Sequence, residues 1–504
     1  MKESLRLPIT ECKMLDNGKK ALIVDGRPFL TLGAQIRIDR WVIQAGWTYE
    51  RLSEIGIVGW AKKLNCNTVQ IPLCWKEIEP AQGRFEWSAL SWMLLECRKY
   101  ELKLEIVWFG SNVCGAGWHS MTPDWITGDP ERYTRIFFQD GTALGADTIH
   151  PSDGQKYTLC VENPYLLEAE RHTITSMMAY LHEHDKEGIV IGFQVENEPS
   201  LVQHNPVLHE TDRCHCARCN SLYKEGGYDN AFDFSKDSLT GYLDTVASFV
   251  KASSHPLFTR VNWIHPYLDL GFDEDTDRVL RNAPHVDCVG YDTYGKSQAE
   301  IYELLTGDLS LKRGNAPHLG ELEGGLHGCA EKIMDLLAAN GVGVSVYQLA
   351  GYVDADDNYL LYPTGKDARP WSEEVRLTYG MLNKANEALA RSRNSVGSEI
   401  RFFNGEGQTN PAFSGTQVLG DYEISYDSKE GGIGISLLNE GDIVLMSYKR
   451  GSFAITSFTA NRAENGHFAS SGEWKKTMEK ACQIVDGKAV VALHAYEVVK
   501  LVRP

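Results

Sequence analysis

Two short stretches carry carboxylates at the point where a buried strand runs out. Ile189 to Ser200 reads Ile-Val-Ile-Gly-Phe-Gln-Val-Glu-Asn-Glu-Pro-Ser, and its first seven residues are almost all apolar, as in a strand buried on both faces. Glu196 and Glu198 then arrive where no core accepts two charges, and Pro199, which lacks an N–H, ends the sheet. The second stretch is His318-Leu319-Gly320-Glu321-Leu322-Glu323-Gly324-Gly325. Period-two alternation turns Glu321 and Glu323 the same way, so either can enter the centre of a barrel. Two carboxyls meeting across a sugar can hydrolyse a glycoside. One stays charged and attacks or stabilises the cationic centre, while the other donates its proton to the leaving oxygen. A lone strand-end Glu is more simply an ion-pair partner, and Glu196 and Glu323 both suit a supporting part of that kind.

A different chemistry is written in Cys214-His215-Cys216-Ala217-Arg218-Cys219, three thiols within six residues. So close a set makes half a shell for tetrahedral zinc, whose fourth ligand must come from elsewhere in the chain. The plain alternative is free thiols in a loop, with His215 a bystander in either case. The remaining cysteines are scattered in apolar settings and read as core. For a sugar, the strand ends offer Gln35, Arg37, Asn262, His265, Tyr294 and Glu323 as hydroxyl partners. Trp75, Trp118 and Trp371 are candidate platforms for its C–H face, although a Trp near a barrel lip is as often packing.

These groups need a scaffold that brings distant strand ends together. Phe29 to Ile36, Thr68 to Leu73, Leu102 to Phe109, Ile189 to Val195, Thr259 to His265, His285 to Tyr291, His318 to Glu323 and Val342 to Leu349 read as eight buried strands. Helical periodicity lies between them, over Leu52 to Leu64, Trp87 to Tyr100, Leu166 to His184, Phe234 to Ala252, Gln298 to Leu305 and Ile333 to Ala339, and in Trp371 to Ala390 after the last strand. Alternation of this kind means βαβ units and a parallel sheet, and eight strands over roughly 370 residues predict a (β/α)8 TIM barrel with insertions. An open doubly wound sheet would want a Gly-rich phosphate turn after its first strand, which Gly33-Ala34-Gln35-Ile36 does not supply. Past Arg393 the periodicity changes to short β segments, so residues 1–393 are expected to form the barrel and residues 394–504 an all-β sandwich.

Composition narrows the class. The 504 residues carry 50 basic and 68 acidic groups, a net charge of −18, which disfavours nucleic acid or an anionic membrane as partner. No N-terminal basic-then-apolar leader and no membrane-length apolar run are present, so a cytoplasmic location is expected. The twelve cysteines are then reduced thiols or metal ligands rather than disulfides.

The order of Asn197-Glu198-Pro199 on the fourth strand and Gly320-Glu321 on the seventh resembles the clan A retaining glycoside hydrolases. More closely, Asn67-Thr68-Val69-Gln70 through Trp75, Glu79-Pro80, Gly83 and Phe85 is similar to β-galactosidases of families 35 and 42, as are Gln194 to Glu198 and Asp25-Gly26-Arg27-Pro28-Phe29. The resemblance spans roughly residues 20 to 350. It implies Glu198 as acid/base, Glu321 as nucleophile, Asn197 on the sugar 2-hydroxyl, Arg37 as a sugar contact and Tyr294 hydrogen-bonded to the nucleophile. The wording around Glu321 and Glu323 is neither family's usual one, which keeps both residues in view as nucleophile. The cysteine spacing resembles the structural zinc site of family 42, whose fourth Cys lies upstream of the acid/base strand, the place held here by Cys160. The implied function is exo-acting removal of terminal β-D-galactosyl residues from an oligosaccharide or small β-glycoside, with one structural zinc and no organic cofactor, possible in a homo-oligomer. Other clan A specificities (β-glucosidase, β-mannosidase, β-arabinosidase) and a non-catalytic sugar-binding barrel are the alternatives.

Overall fold

The computed structural model describes residues 10–15, 20–111, 121–143, 159–199, 213–264, 272–306, 314–322, 328–349, 351–353, 359–361, 370–394, 399–403, 413–439, 441–456, 458, 462–469, 471 and 473–502. Eight parallel strands close into a barrel: β1 (Thr31–Gln35), β2 (Thr68–Cys74), β3 (Lys103–Phe109), β4 (Val190–Gln194), β5 (Phe258–Ile264), β6 (Cys288–Asp292), β7 (His318–Leu322) and β8 (Gly343–Tyr347). The ring shuts where β8 pairs with β1, from Gly343 beside Thr31 to Tyr347 beside Gln35.

Each barrel strand is buried on both faces, and the two faces differ. On β2, Val69, Ile71 and Leu73 join the apolar core. Gln70, one position on, donates to Glu105 Oε2 at 3.0 Å. Thr31 donates to Glu105 Oε1 at 3.0 Å and Arg260 Nε to Oε2 at 3.1 Å. The barrel interior below the C-terminal mouth is therefore polar, built on a buried Glu105–Arg260 ion pair in which Glu105 accepts further hydrogen bonds from Thr31 and Gln70.

The eight expected strands are all present, with ends shifted inward or outward by up to three residues. Arg27–Phe29 belongs instead to a small three-stranded sheet with Thr10–Met14 and Lys20–Val24. Leu22 and Val24 of that sheet pack on Ile191, Phe258, Ala316 and Val342, closing the barrel floor. The helix expected over Leu52 to Leu64 is two short helices, Tyr49–Ile55 and Ile57–Lys63, because Gly56 between them adopts φ +66°. Two helices escape their sequence pattern: Ala217–Gly226, and the charge-rich Phe272–Asn282.

Past a 25-residue helix, Pro370–Asn394, two antiparallel sheets of six and five strands face one another. Strand Asp442–Ser447 shows the logic. Ile443 and Leu445 enter the core between the sheets, whereas Val444 and Met446 belong to the core shared with the barrel. The long helix lies against four strands of the six-stranded sheet, and Tyr448 hydrogen-bonds Glu331 on a barrel helix.

Candidate active site

The segment after β4 is held in an unusual shape. Glu196 and Glu198 take φ of +60° and +47°, the left-handed region that costs a non-glycine residue roughly 1–3 kcal/mol. The side chains of Asn262 on β5 and Gln194 on β4 hold it there. Glu198 N–H donates to Asn262 Oδ1 at 2.9 Å, and Gln194 Nε2 donates to Asn262 Oδ1 at 2.8 Å and to Asn197 Oδ1 at 3.1 Å. The side chain of Glu196 accepts from the backbone of Gly110 (3.2 Å) and Ser111 (2.9 Å) and from Tyr242 OH (2.7 Å). Glu196 is thus an anchor between the ends of β3 and β4. Behind it lies a second buried carboxyl, Glu170, bonded by Trp108 Nε1 at 2.7 Å and by Tyr242 OH. Burial and the charge of Glu196 push the Glu170 carboxyl up to about 8.

At the C-terminal mouth of the barrel three buried carboxylates converge. One oxygen from each of Glu198, Asp292 and Glu321 lies within 4.8 Å of the others. Glu321, from β7, accepts a hydrogen bond on each oxygen, from Gln35 Nε2 at 2.7 Å and from Tyr294 OH at 2.5 Å. Burial, then the facing charge of Glu321, raises Glu198 well above the usual carboxylate range. The same two causes, joined by Glu198, raise Asp292. Asn262 Nδ2 donates to Asp292 Oδ2 at 2.7 Å, so one amide grips both the Glu198 backbone and the Asp292 side chain. Arg37 makes a two-pronged ion pair with Asp39 (2.8 and 2.6 Å), lies over the Phe109 ring, and draws Glu198 down by its charge.

Gln35, Arg37, Asn197, Glu198, Asn262, Tyr294 and Glu321 therefore meet in one place. Trp75 departs from its expected role as a platform. It is fully buried, its ring sits against Trp108 and edge-on to Trp125, and its N–H points to Glu79 at 3.4 Å. It packs the core, and Glu79, which also accepts from Gly83 N–H at 2.7 Å, ties the following loop to it. His265, Glu323 and Trp118 lie outside the described residues, as does the side chain of Trp371. Sequence reasoning missed Asp292 and Tyr347, whose ring meets Tyr294 edge-on at the end of β8. Asp292 carried the same signature as Glu198, an apolar strand (Cys288 to Tyr291) ending in a carboxylate.

The four expected thiols also meet. Sγ of Cys160 stands 3.8 Å from that of Cys216 and 3.4 Å from that of Cys219, and all four sulfurs, with Cys214, lie within 4.8 Å of one another. Cys216 caps helix Ala217–Gly226, its sulfur accepting from Cys219 N–H at 3.4 Å. Ile136 and Phe234 enclose the cluster. Four thiolates around zinc at about 2.3 Å would place sulfurs about 3.8 Å apart, so this donor set fits that metal. The separations are too long for disulfides, which need about 2.05 Å.

No protein-family model matches the sequence, and no curated protein does. Among solved structures, the chain is similar to a β-galactosidase from Bacillus circulans sp. alkalophilus, at 10% identity and TM-score 0.52, over 98% of this chain and 100% of that one. A β-galactosidase from the psychrophilic Marinomonas ef1 aligns at 14% identity and TM-score 0.47, over 71% of this chain and 60% of that one. A GH30 endoxylanase from Clostridium papyrosolvens aligns at 10% and 0.44, over 94% and 96%. At such identities the likeness is one of fold. With the first of these proteins this chain shares its fold along the whole length, which in this chain is a closed eight-stranded α/β barrel followed by antiparallel sheets.

Proposed function

We propose that this protein is a retaining exo-β-glycosidase acting on terminal β-D-galactosyl residues, with Glu198 as acid/base and Glu321 as nucleophile. The observation that carries the reading is that one oxygen of each of these two carboxylates lies within 4.8 Å of the other at the barrel mouth. Inverting enzymes hold their carboxyls roughly 6.5–9.5 Å apart to admit a water, whereas retaining enzymes use about 5–5.5 Å. Glu321, oriented by Gln35 and Tyr294, attacks the anomeric carbon. The glycosidic C–O bond breaks as the proton of Glu198 passes to the leaving oxygen, and the sugar remains as an ester of Glu321. Glu198, now a carboxylate, takes a proton from an entering water. The water oxygen bonds to the anomeric carbon, freeing Glu321 and restoring the acid. The high proton affinity of Glu198 suits the donating step, and Asn197, whose buried Nδ2 has no hydrogen-bond partner among the described residues, would meet the sugar 2-hydroxyl.

Cys160, Cys214, Cys216 and Cys219 would hold one structural zinc, which when bound ties residues 159–160 to helix Ala217–Gly226. A reducing, cytoplasmic setting suits such thiolates. The galactosyl preference rests on the sequence motifs alone. Hydrolysis of 4-nitrophenyl β-D-galactopyranoside tests the proposal. The expected results are release of the β-anomer first, and kcat lowered by about 10²–10⁴-fold in Glu198→Ala and at least as much in Glu321→Ala. Turnover of β-glucosides, β-mannosides or β-arabinosides in its place would reassign the sugar. Initial release of the α-anomer would overturn retention, and inertness toward all of these glycosides would overturn the enzyme.

A further inference from the structure

The glycosidase reading uses two carboxylates, yet the mouth of the barrel holds three. Asp292 is 1% exposed and forms no ion pair with a side-chain cation among the described residues, although buried carboxylates without a counter-ion are costly. Its Oδ2 accepts from Asn262, while its Oδ1 has no hydrogen-bond donor among the described residues. Residue 320, packed close beside Oδ1, is glycine. A Cβ there would stand 3.0 Å from Asp292 Oδ1, 3.0 Å from Asn262 Cβ and 3.3 Å from Arg260 Nη1. The groups facing the Glu198–Asp292 pair are Glu321 from β7, Arg37 beyond β1, Arg260 from β5, and Tyr294 following β6. Arg37 is committed to Asp39, whereas Arg260 meets Glu105 through Nε alone; its Nη1 and Nη2 have no hydrogen-bond partner among the described residues, and its charge draws Asp292 down.

Resting on the glycosidase reading, we propose that Asp292 is a positioning residue that shares the acid/base proton with Glu198. Three carboxylates so close cannot all be charged, and two of them, Glu198 and Asp292, are fixed to one another through the single amide of Asn262. One proton resides on this pair before the bond breaks. When Glu198 gives it to the leaving oxygen, both members of the pair are left charged, and the water of the second step returns one proton to them. The pair titrates as a unit, its loss of the last proton delayed by the charge it creates. The burial of both groups acts in the same direction.

Asp292→Asn, which keeps shape but removes the second carboxylate, tests this. Glu198 would then ionise beside a neutral amide, so the basic limb of kcat/KM for 4-nitrophenyl β-D-galactopyranoside should move down by roughly one to two pH units. The loss should be larger for a phenyl glycoside than for a 2,4-dinitrophenyl glycoside, whose leaving group needs no proton. A substrate-free potentiometric titration, wild type against variant, should show the corresponding proton released at lower pH, and it reads the shared proton even if no glycoside is turned over. An unshifted basic limb with equal losses on both leaving groups, or superimposable titrations, would overturn the proposal. A wild-type chain inert to every glycoside but with the displaced titration would support the shared proton and sink the enzyme instead. Glu198→Gln, in which the pair also loses one carboxyl, should show a similar displacement in titration if Asp292→Asn fails to fold.

Discussion

At the scale of single residues, five of the buried carboxyls form two groups with different purposes. Glu198, Asp292 and Glu321 face the mouth, whereas Glu170 and Glu196 sit behind it, clamped by Trp108, Tyr242 and the backbone of Gly110 and Ser111. The rear pair makes stability depend on pH. Glu170 holds its proton more tightly when folded than unfolded, so its contribution is full below the ordinary carboxylate range and is lost as pH rises to about 8. Melting temperature followed across that window should fall, and Glu170→Gln, which keeps the hydrogen bonds but cannot ionise, should flatten the fall. An equal slope in the variant would show that Glu170 bears no proton at neutral pH. Glu198 and Glu321 were legible as candidates because each follows an apolar run where a charge has no business in a core. Asp292 obeys the same rule at the end of β6, two residues before Tyr294. Nothing in the spacing told Trp75 of the core from a Trp at a sugar, since both follow a strand end.

At the scale of elements, strands were easier to read than helices. Barrel strands are buried on both faces and so appear as apolar runs, which survive without any knowledge of their neighbours. Helix Phe272–Asn282 (Phe-Asp-Glu-Asp-Thr-Asp-Arg-Val-Leu-Arg-Asn) has only a narrow apolar strip, and sandwich strand Trp474–Ala481 is mostly exposed, so neither announces itself. The thiol cluster was visible because three of its members are adjacent, whereas Cys160 joined them only by resemblance. Its role belongs to this scale, since it tethers a segment before β4 to a helix after it. Chelation by excess EDTA with a zinc-binding dye should release about one zinc per chain, and Cys216→Ser should lower metal content together with melting temperature. Full metal loss with unchanged melting would make the cluster ornamental.

At the scale of the whole molecule, the two architectures are not strung on a loose tether. Ile435, Leu437, Val444, Met446 and Val498 of the six-stranded sheet belong to the same apolar core as the barrel and its last helix. Produced alone, residues 399–504 would present those five side chains to water, and sedimentation should show self-association that the intact chain lacks. A monodisperse fragment would mean the sheet needs no partner. No helix among the described residues is long and apolar enough to cross a membrane. The closing seam of the barrel has a consequence for how the protein comes into being. Gln35, which steadies Glu321, is made more than three hundred residues before its neighbour across the seam, Tyr347. A nascent chain stalled before residue 343 would carry both acids and still be chemically silent, so activity should switch on abruptly, late on the ribosome, rather than ripen with length.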